Sequence, residues 1–160
     1  MKAKHLQMYM RVAQAVAEAS PSQRLKVGAV AVKNNQVIGT GYNALPTSLD
    51  GPLEDKGYFT GGGWIEFNPD KYPYEDDIGS YRLVTKPEVR HAEKNLILSL
   101  AKSTESALGS MIFCTHACCY YCALDLVDLG ITHFYYKHTY RCDRGLTTLR
   151  EAGILATQID

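Results

Sequence analysis

Three potential metal ligands and one carboxylate stand at regular spacings in the second half of the chain. They form His91-Ala92-Glu93 and Cys119-Tyr120-Tyr121-Cys122. An imidazole and two thiolates suit zinc, and three protein ligands leave the fourth tetrahedral position open for water. Zinc lowers the pKa of such a water from about 15.7 to about 7, so a nearby carboxylate can take its proton. The pattern therefore predicts zinc ligands at His91, Cys119 and Cys122, and a proton-transfer role for Glu93.

The same residues allow two other interpretations. Cys119 and Cys122 could be small apolar side chains of the core, and His91 a surface histidine at a helix start. A structural zinc would instead need a fourth protein ligand. Candidates for that ligand are Cys114, His116, Cys118 and Cys142. The carboxylate of Glu93 favours a catalytic zinc site, but the spacing of the ligands alone does not exclude a structural zinc site.

Composition limits the class of protein. A chain of 160 residues with 46% hydrophobic content predicts one domain, residues 1–160, with a substantial core. Lys+Arg and Asp+Glu both number 17, and no basic run is present, which argues against a polynucleotide substrate. The five cysteines lie between residues 114 and 142, which favours metal ligation in a reducing compartment over a disulfide framework. The N-terminal residues lack an apolar stretch, so we expect a cytoplasmic protein (host cytoplasm if viral) without a membrane partner.

Hydrophobic periodicity and turn signals indicate the elements that precede the metal motifs. Residues 4–19 have apolar side chains three and four apart, which predicts an amphipathic helix. Residues 27–32 and 37–42 predict two strands joined by a hairpin turn at Asn34-Asn35. Residues 43–84 contain four prolines and no sustained period. They predict a long loop insertion that acts as a lid or contacts a ligand, and the simpler alternative is an ordered surface excursion.

The second half of the chain predicts alternating helices and strands. Thr85-Lys86-Pro87-Glu88 is typical of a capping box and predicts a helix through Leu100, with His91 and Glu93 in its opening turns. Two further helices, each followed by a glycine, alternate with three strands. These are strand 111–115, helix 119–129, strand 131–137, helix 146–152 and strand 154–159. The order predicts an α/β fold with a five-stranded mixed sheet and helices on both faces.

Beyond the metal motifs, segments spread over most of the chain resemble the deoxycytidylate (dCMP) deaminases of phage and eukaryotic type. The similar segments are 26–30, 39–43, 71–74, 91–95, 115–122, 129–131 and 149–154. His-x-Glu with a downstream Cys-x-x-Cys is shared by zinc-dependent nucleobase deaminases in general. Val27-Gly28-Ala29, Gly41-Tyr42-Asn43 and Tyr140-Arg141 are similar to the branch that acts on nucleotides. The resemblance implies a three-layer cytidine-deaminase-like fold and hydrolytic deamination of dCMP to dUMP and ammonia, which feeds thymidylate (dTTP) synthesis.

The resemblance also implies roles for individual residues. His91, Cys119 and Cys122 would hold one catalytic Zn²⁺ per subunit, and Glu93 would shuttle protons. Other positions match family residues that contact the substrate. These are Arg24, Lys26, Tyr140 and Arg141 for the phosphate, Asn43 for the sugar 3′-hydroxyl, and the backbone of Ala92 for the base. Arginine suits phosphate because it offers two parallel donors, although any one of these cations could be ordinary solvated charge.

Regulation and assembly are further implications of the resemblance. Relatives with the Gly-Tyr-Asn segment are homohexamers that Mg²⁺-dCTP activates and dTTP inhibits at a separate site. The implied allosteric site includes Tyr42 and residues 50–60, with Asp50 or Glu54 as partners of Mg²⁺. The alternative is that these two acidic residues only keep a loop soluble.

One position departs from the family pattern, and other functions remain open. The family has proline directly before the first cysteine ligand, whereas this chain has Cys118 there. We predict that Cys118 is not a ligand. The alternative functions are deamination of dCTP or of a free nucleoside, or a zinc-stabilised nucleotide sensor without catalysis.

Overall fold

The structure, a computed structural model, describes residues 2–61 and 65–160. Its helices and strands alternate only in the second half of the chain. In chain order they are α1 (Ala3–Glu18), β1 (Gly28–Lys33), β2 (Gln36–Tyr42), β3 (Glu54–Tyr58), β4 (Tyr74–Asp76), β5 (Gly79–Thr85), α2 (Ala92–Ala101), β6 (Met111–His116), α3 (Tyr120–Asp128), β7 (His133–His138), α4 (Arg144–Glu151) and β8 (Leu155–Gln158). Within the described residues, no helix has both the length and the apolar character that a membrane span requires.

Five strands form the central sheet, in the order β2-β1-β6-β7-β8. β1 pairs antiparallel with β2 and β6, whereas β6, β7 and β8 are parallel and are connected through α3 and α4. Asn34 and Asn35 have φ of 52° and 60°, as a tight hairpin turn requires, and asparagine adopts this conformation more easily than most residues. The predicted α/β fold with a mixed five-stranded sheet is confirmed.

The two faces of the sheet bury separate hydrophobic clusters. On one face, Tyr9 and Met10 of α1 pack with Phe113, whose ring stacks 4.8 Å from that of Tyr135. On the other face, apolar side chains of α2, α3 and α4 form the larger cluster, which includes Leu96, Leu126 and Leu149. Helices on both faces of the sheet make three layers. Because the helices cover both faces, a ligand-binding site is expected at the edges of the sheet and at the helix N-termini.

The prediction of a loop for residues 43–84 is corrected by the structure. This segment contains strands β3 and β4 and nearly all of β5, which together form an antiparallel sheet in the order β3-β5-β4. The strands lack apolar alternation, so periodicity did not indicate them. Tyrosines hold the sheet instead: the ring of Tyr81 lies 5.6 Å from that of Tyr58 and 5.5 Å from that of Tyr74.

The predicted capping box is also wrong. Thr85 is the last residue of β5, and its hydroxyl accepts a hydrogen bond from Arg24 rather than capping a helix. Pro87 lies in a turn closed by the hydrogen bond from Val89 N to Lys86 O. The helix begins later, at Ala92, with His91 as its N-cap. The metal motif therefore stands at the start of α2.

Candidate active site

Two helix N-termini bring the three predicted metal ligands together. His91 is the N-cap of α2, Cys119 is the N-cap of α3, and Cys122 lies in the first turn of α3. His91 Nδ1 lies 3.5 Å from Cys119 Sγ and 3.5 Å from Cys122 Sγ. Tetrahedral zinc, with Zn–S near 2.3 Å and Zn–N near 2.0 Å, would set nitrogen and sulfur ligands about 3.5 Å apart. The spacing of the three atoms therefore fits zinc.

The protonation of the cluster also suits a divalent cation. A hydrogen bond from Cys122, aided by His91, lowers the pKa of Cys119 to about 4. The same hydrogen bond and burial raise the pKa of Cys122, and the bond to Cys119 raises the pKa of His91. The lowered pKa favours the thiolate form of Cys119, which is the form that binds a metal. Binding of a cation would displace protons from the other ligands.

The candidates for a fourth protein ligand do not join the cluster. Cys114 and Cys118 are fully buried in the core, and burial raises the pKa of both. Cys142 is exposed. Among residues 2–61 and 65–160, the single group of His, Cys, Asp or Glu side chains close enough to share a metal is formed by His91, Cys119 and Cys122. Three ligands leave a coordination position for water, which is the arrangement of a catalytic zinc site.

Glu93 lies beside the ligands and is almost fully buried. Its side chain stands in the first turn of α2 and is 4% exposed. Burial raises the pKa of Glu93 to about 7, because the charged carboxylate loses hydration. A carboxyl group with this pKa can both accept and release a proton near neutral pH. Its location supports the role predicted from the sequence.

A cavity of about 670 Å³ opens over the cluster and Glu93. This volume suits a small organic ligand. Five of the predicted substrate contacts lie in its wall: Arg24, Asn43, Ala92, Tyr140 and Arg141. Lys26 does not. Its Nζ donates to the carbonyl of Glu18 at the end of α1, 3.2 Å away.

The contacts of the cavity residues show how they are held. Asn43 Oδ1 accepts from Val27 N at 2.8 Å, and Asn43 Nδ2 donates to Leu25 O at 2.9 Å. The amide thus fastens the loop between α1 and β1, and its contact with a sugar stays a prediction. The guanidinium of Arg141 lies 5.3 Å from the ring centre of Tyr140, a cation–π arrangement after β7.

The residues predicted for an allosteric site separate in the structure. Tyr42 and Asp50 line a second cavity of about 310 Å³. Glu54 is instead 6% exposed, and its carboxylate accepts hydrogen bonds from Ser22 Oγ at 2.6 Å and from two backbone N–H groups of loop 20–27. These donors occupy the oxygens of Glu54, which argues against the expected role of this carboxylate as a partner of Mg²⁺.

Sequence analysis missed several residues of the main cavity. His116 was considered only as a fourth metal ligand, yet it lines the cavity, with Nδ1 3.1 Å from Thr115 Oγ1. Burial and then His138 lower the pKa of His116. Val84 and Thr85 of β5 also form part of the wall. The position of His116 at the end of β6, three residues before a ligand, could have indicated it, whereas β5 gave no signal because its segment was taken for a loop.

The fold and the site together define a class of α/β proteins that place a His/Cys/Cys metal cluster and a buried glutamate between two helix N-termini. The sequence comparison then gives the family. A profile of the cytidine and deoxycytidylate deaminase zinc-binding region matches residues 3–138, and the chain belongs to this family. The resemblance drawn from the motifs is confirmed.

Similar proteins come from phages and from yeast. The crystal structure of dCMP deaminase from the cyanophage S-TIM5, in complex with dCMP and dUMP, has a TM-score of 0.78, is 30% identical, and the match covers 99% of each chain. Deoxycytidylate deaminase of Mycobacterium phage D29 is 30% identical over 80% of this chain and 90% of its own length. Deoxycytidylate deaminase of Saccharomyces cerevisiae is 29% identical over 94% of this chain and 43% of its own length. The chain thus spans less than half of the yeast relative and most of both phage proteins.

Proposed function

We propose that this protein catalyses the zinc-dependent hydrolytic deamination of dCMP to dUMP and ammonia, and so supplies dUMP for thymidylate synthesis. The observation that carries the proposal is the three-ligand cluster of His91, Cys119 and Cys122 beside the buried carboxyl group of Glu93. The names of its phage relatives, at 30% identity, support a nucleotide substrate. We also propose a reducing cytoplasm as its location, which the grouping of the five cysteines between residues 114 and 142 around a metal motif supports.

Glu93 performs the proton transfers in this proposal. Zinc, when bound by the cluster, supplies a Lewis acid that acidifies a water molecule. Glu93 accepts the proton of that water and delivers it to the pyrimidine ring nitrogen. The water oxygen forms a bond to the ring carbon that carries the amino group. Glu93 then takes the remaining proton from the new hydroxyl group and passes it to the amine, so that the C–N bond breaks, the carbonyl of dUMP forms and ammonia leaves.

Cationic residues at the cavity would distinguish a nucleotide from a nucleoside. Arg24 and Arg141 both line the cavity that contains Glu93. A guanidinium binds a phosphate through parallel charge-assisted hydrogen bonds. A nucleoside deaminase would have no use for such groups, so their placement favours dCMP over deoxycytidine.

Metal removal tests the proposal. Treatment with a chelator should remove zinc and abolish turnover of dCMP, measured by ultraviolet absorbance. Added Zn²⁺ should restore turnover in proportion to bound metal, up to one ion per chain. Full activity in protein shown to be free of metal would contradict the assigned role of the cluster.

We further propose a regulated homohexamer, activated by Mg²⁺-dCTP and inhibited by dTTP. Support comes from the second cavity, which has Tyr42 and Asp50 in its wall and is lined separately from the first. An aromatic ring can stack on a base, and a carboxylate oxygen suits Mg²⁺. This second site would bind the effector while the first binds the substrate.

A further inference from the structure

The loop that carries Arg24 has no helical or strand structure, and buried polar side chains satisfy its backbone. Residues 20–27 connect α1 to β1. Within this loop Ser22 Oγ accepts from Leu25 N at 3.2 Å and donates to Glu54 at 2.6 Å. The carboxylate of Glu54 also accepts from the backbone N–H groups of the two residues that follow Ser22, at 3.4 and 3.3 Å. One buried acidic side chain of β3 therefore fixes the backbone at Arg24.

The side chain of Arg24 is held from the same small sheet. Arg24 Nη1 donates to Thr85 Oγ1, 2.7 Å away, at the end of β5. Glu54 and Thr85 are directly paired in the antiparallel register of β3 and β5. One cross-strand pair thus binds both the backbone N–H and the guanidinium of Arg24.

We propose that Glu54 and Thr85 are positioning residues that hold Arg24 in place to bind the phosphate of the substrate. This inference rests on the proposed function. Arg24 is exposed and has a long side chain with several rotatable bonds, so fixing it in advance reduces the conformational entropy lost when phosphate binds. The bond to Thr85 uses one of five guanidinium N–H donors and leaves four for an anion. The sheet of β3, β5 and β4 is then a part of the substrate site and not a separate lid.

The specificity ratio tests the proposal. It is kcat/KM for dCMP divided by kcat/KM for deoxycytidine, which lacks the phosphate. We expect Thr85→Val to lower this ratio about three- to tenfold, mainly through a higher KM for dCMP, as loss of one hydrogen bond would. Thr85→Ser, which keeps the hydroxyl, should restore the ratio. Glu54→Gln should also lower the specificity ratio. Its amide N–H group would face the loop N–H groups at a place where a carboxylate oxygen now accepts their hydrogen bonds.

A matched control and a double-mutant cycle separate positioning from general stability. Asp55→Asn removes the neighbouring negative charge of β3, whose side chain is 66% exposed and pairs with Lys86, 3.5 Å away. This substitution should leave the specificity ratio within about twofold of the wild-type value, as expected for a change at the surface. Thr85→Val should have no further effect on the ratio in an Arg24→Ala background, because Thr85 acts through that guanidinium.

Each result decides the matter. Parallel losses for both substrates in Thr85→Val, with an unchanged ratio, would overturn the proposal, and so would additive effects in the cycle. If Glu54→Gln fails to fold, Thr85→Val and Thr85→Ser still decide. If the wild-type protein deaminates neither substrate, the proposed function fails. The ratio of calorimetric dissociation constants for dCMP and deoxycytidine then tests the positioning of Arg24 by itself.

Discussion

Two glutamates are buried in the described part of the chain, and their surroundings give them different roles. Glu93 lies at the metal cluster, where burial raises its pKa to about 7. Glu54 is surrounded by hydrogen-bond donors from the loop of residues 20–27. A carboxyl group with few partners can exchange a proton, whereas one that accepts several hydrogen bonds is fixed in position. Similar exposure thus accompanies the proposed catalytic role of Glu93 and the proposed positioning role of Glu54.

The substitution Glu93→Gln tests the first of these roles. It keeps the size of the side chain but removes proton transfer, so turnover of dCMP should fall at least about 100-fold. Zinc content, measured by atomic absorption, and the circular dichroism spectrum should match those of the wild-type protein. Retention of more than a tenth of the turnover would show that another group moves the protons.

The substitution Cys118→Ala tests the ligand set. Cys118 has no exposed surface, and burial raises its pKa, which disfavours the thiolate that zinc would require. Zinc content should therefore stay at one ion per chain. Cys119→Ala is the matched control and should lose the metal. Loss of zinc from the Cys118 variant would mean that the cluster has a fourth protein ligand.

At the level of elements, helix α4 sets the position of the ligand segment. A Cβ atom on Gly145 would lie 2.2 Å from Cys118 O and 2.9 Å from Cys119 O, so the helix touches the backbone of the first cysteine ligand. Gly145→Ala must displace this backbone. We expect zinc affinity, measured by competition with a chromogenic chelator, to fall about tenfold or more, as for other changes that misplace ligands. Thr147→Ala on the exposed side of α4 is the control, and equal affinities in the two variants would contradict this explanation.

The stability of the sheet formed by β3, β5 and β4 should depend on pH, because Asp76 helps to hold this sheet. Hydrogen bonding to Lys56 is the main cause that lowers the pKa of Asp76 to about 2, below its ordinary value of 3.8. Because the folded-state pKa is lowered, the stabilisation is present above about pH 4 and is lost as the pH falls toward 2. Amide exchange in β3 and β5, corrected for its intrinsic pH dependence, should therefore lose protection in this range. Asp76→Asn should remove that pH dependence, and an unchanged profile in the variant would contradict the role of Asp76.

The same comparison of elements shows what the sequence could predict. The central sheet was predictable because its strands are apolar runs bounded by clear turns, such as Asn34-Asn35. The sheet of β3, β5 and β4 was not, since its strands carry tyrosine and charged residues on both faces. The metal ligands were predictable from local spacing within two short motifs. The bonds of Arg24 to Glu54 and Thr85 were not, because they join residues 30 and 61 positions apart.

At the level of the whole molecule, the proposed regulation predicts a response to effectors. As the family resemblance implies, Mg²⁺-dCTP should increase the rate at subsaturating dCMP and dTTP should decrease it, and the separate cavity lined by Tyr42 and Asp50 offers a place for them to bind. Sedimentation velocity should give the mass of a hexamer. Asp50→Asn should weaken the response to Mg²⁺-dCTP, since it removes a charge suited to the metal. A monomer that ignores both nucleotides would contradict regulation while leaving the catalytic proposal intact.

The most direct test of the central claim is ultraviolet-monitored deamination by the zinc-loaded protein, with dCMP compared with dCTP, deoxycytidine and a short single-stranded DNA. The structure predicts the highest kcat/KM for dCMP, with dUMP and ammonia formed in equal amounts. Arg24 and Arg141 at the cavity favour a substrate with a phosphate, and the balanced chain charge gives no attraction to a polynucleotide. If no cytosine nucleotide reacts while zinc is fully bound, the protein is not a dCMP deaminase.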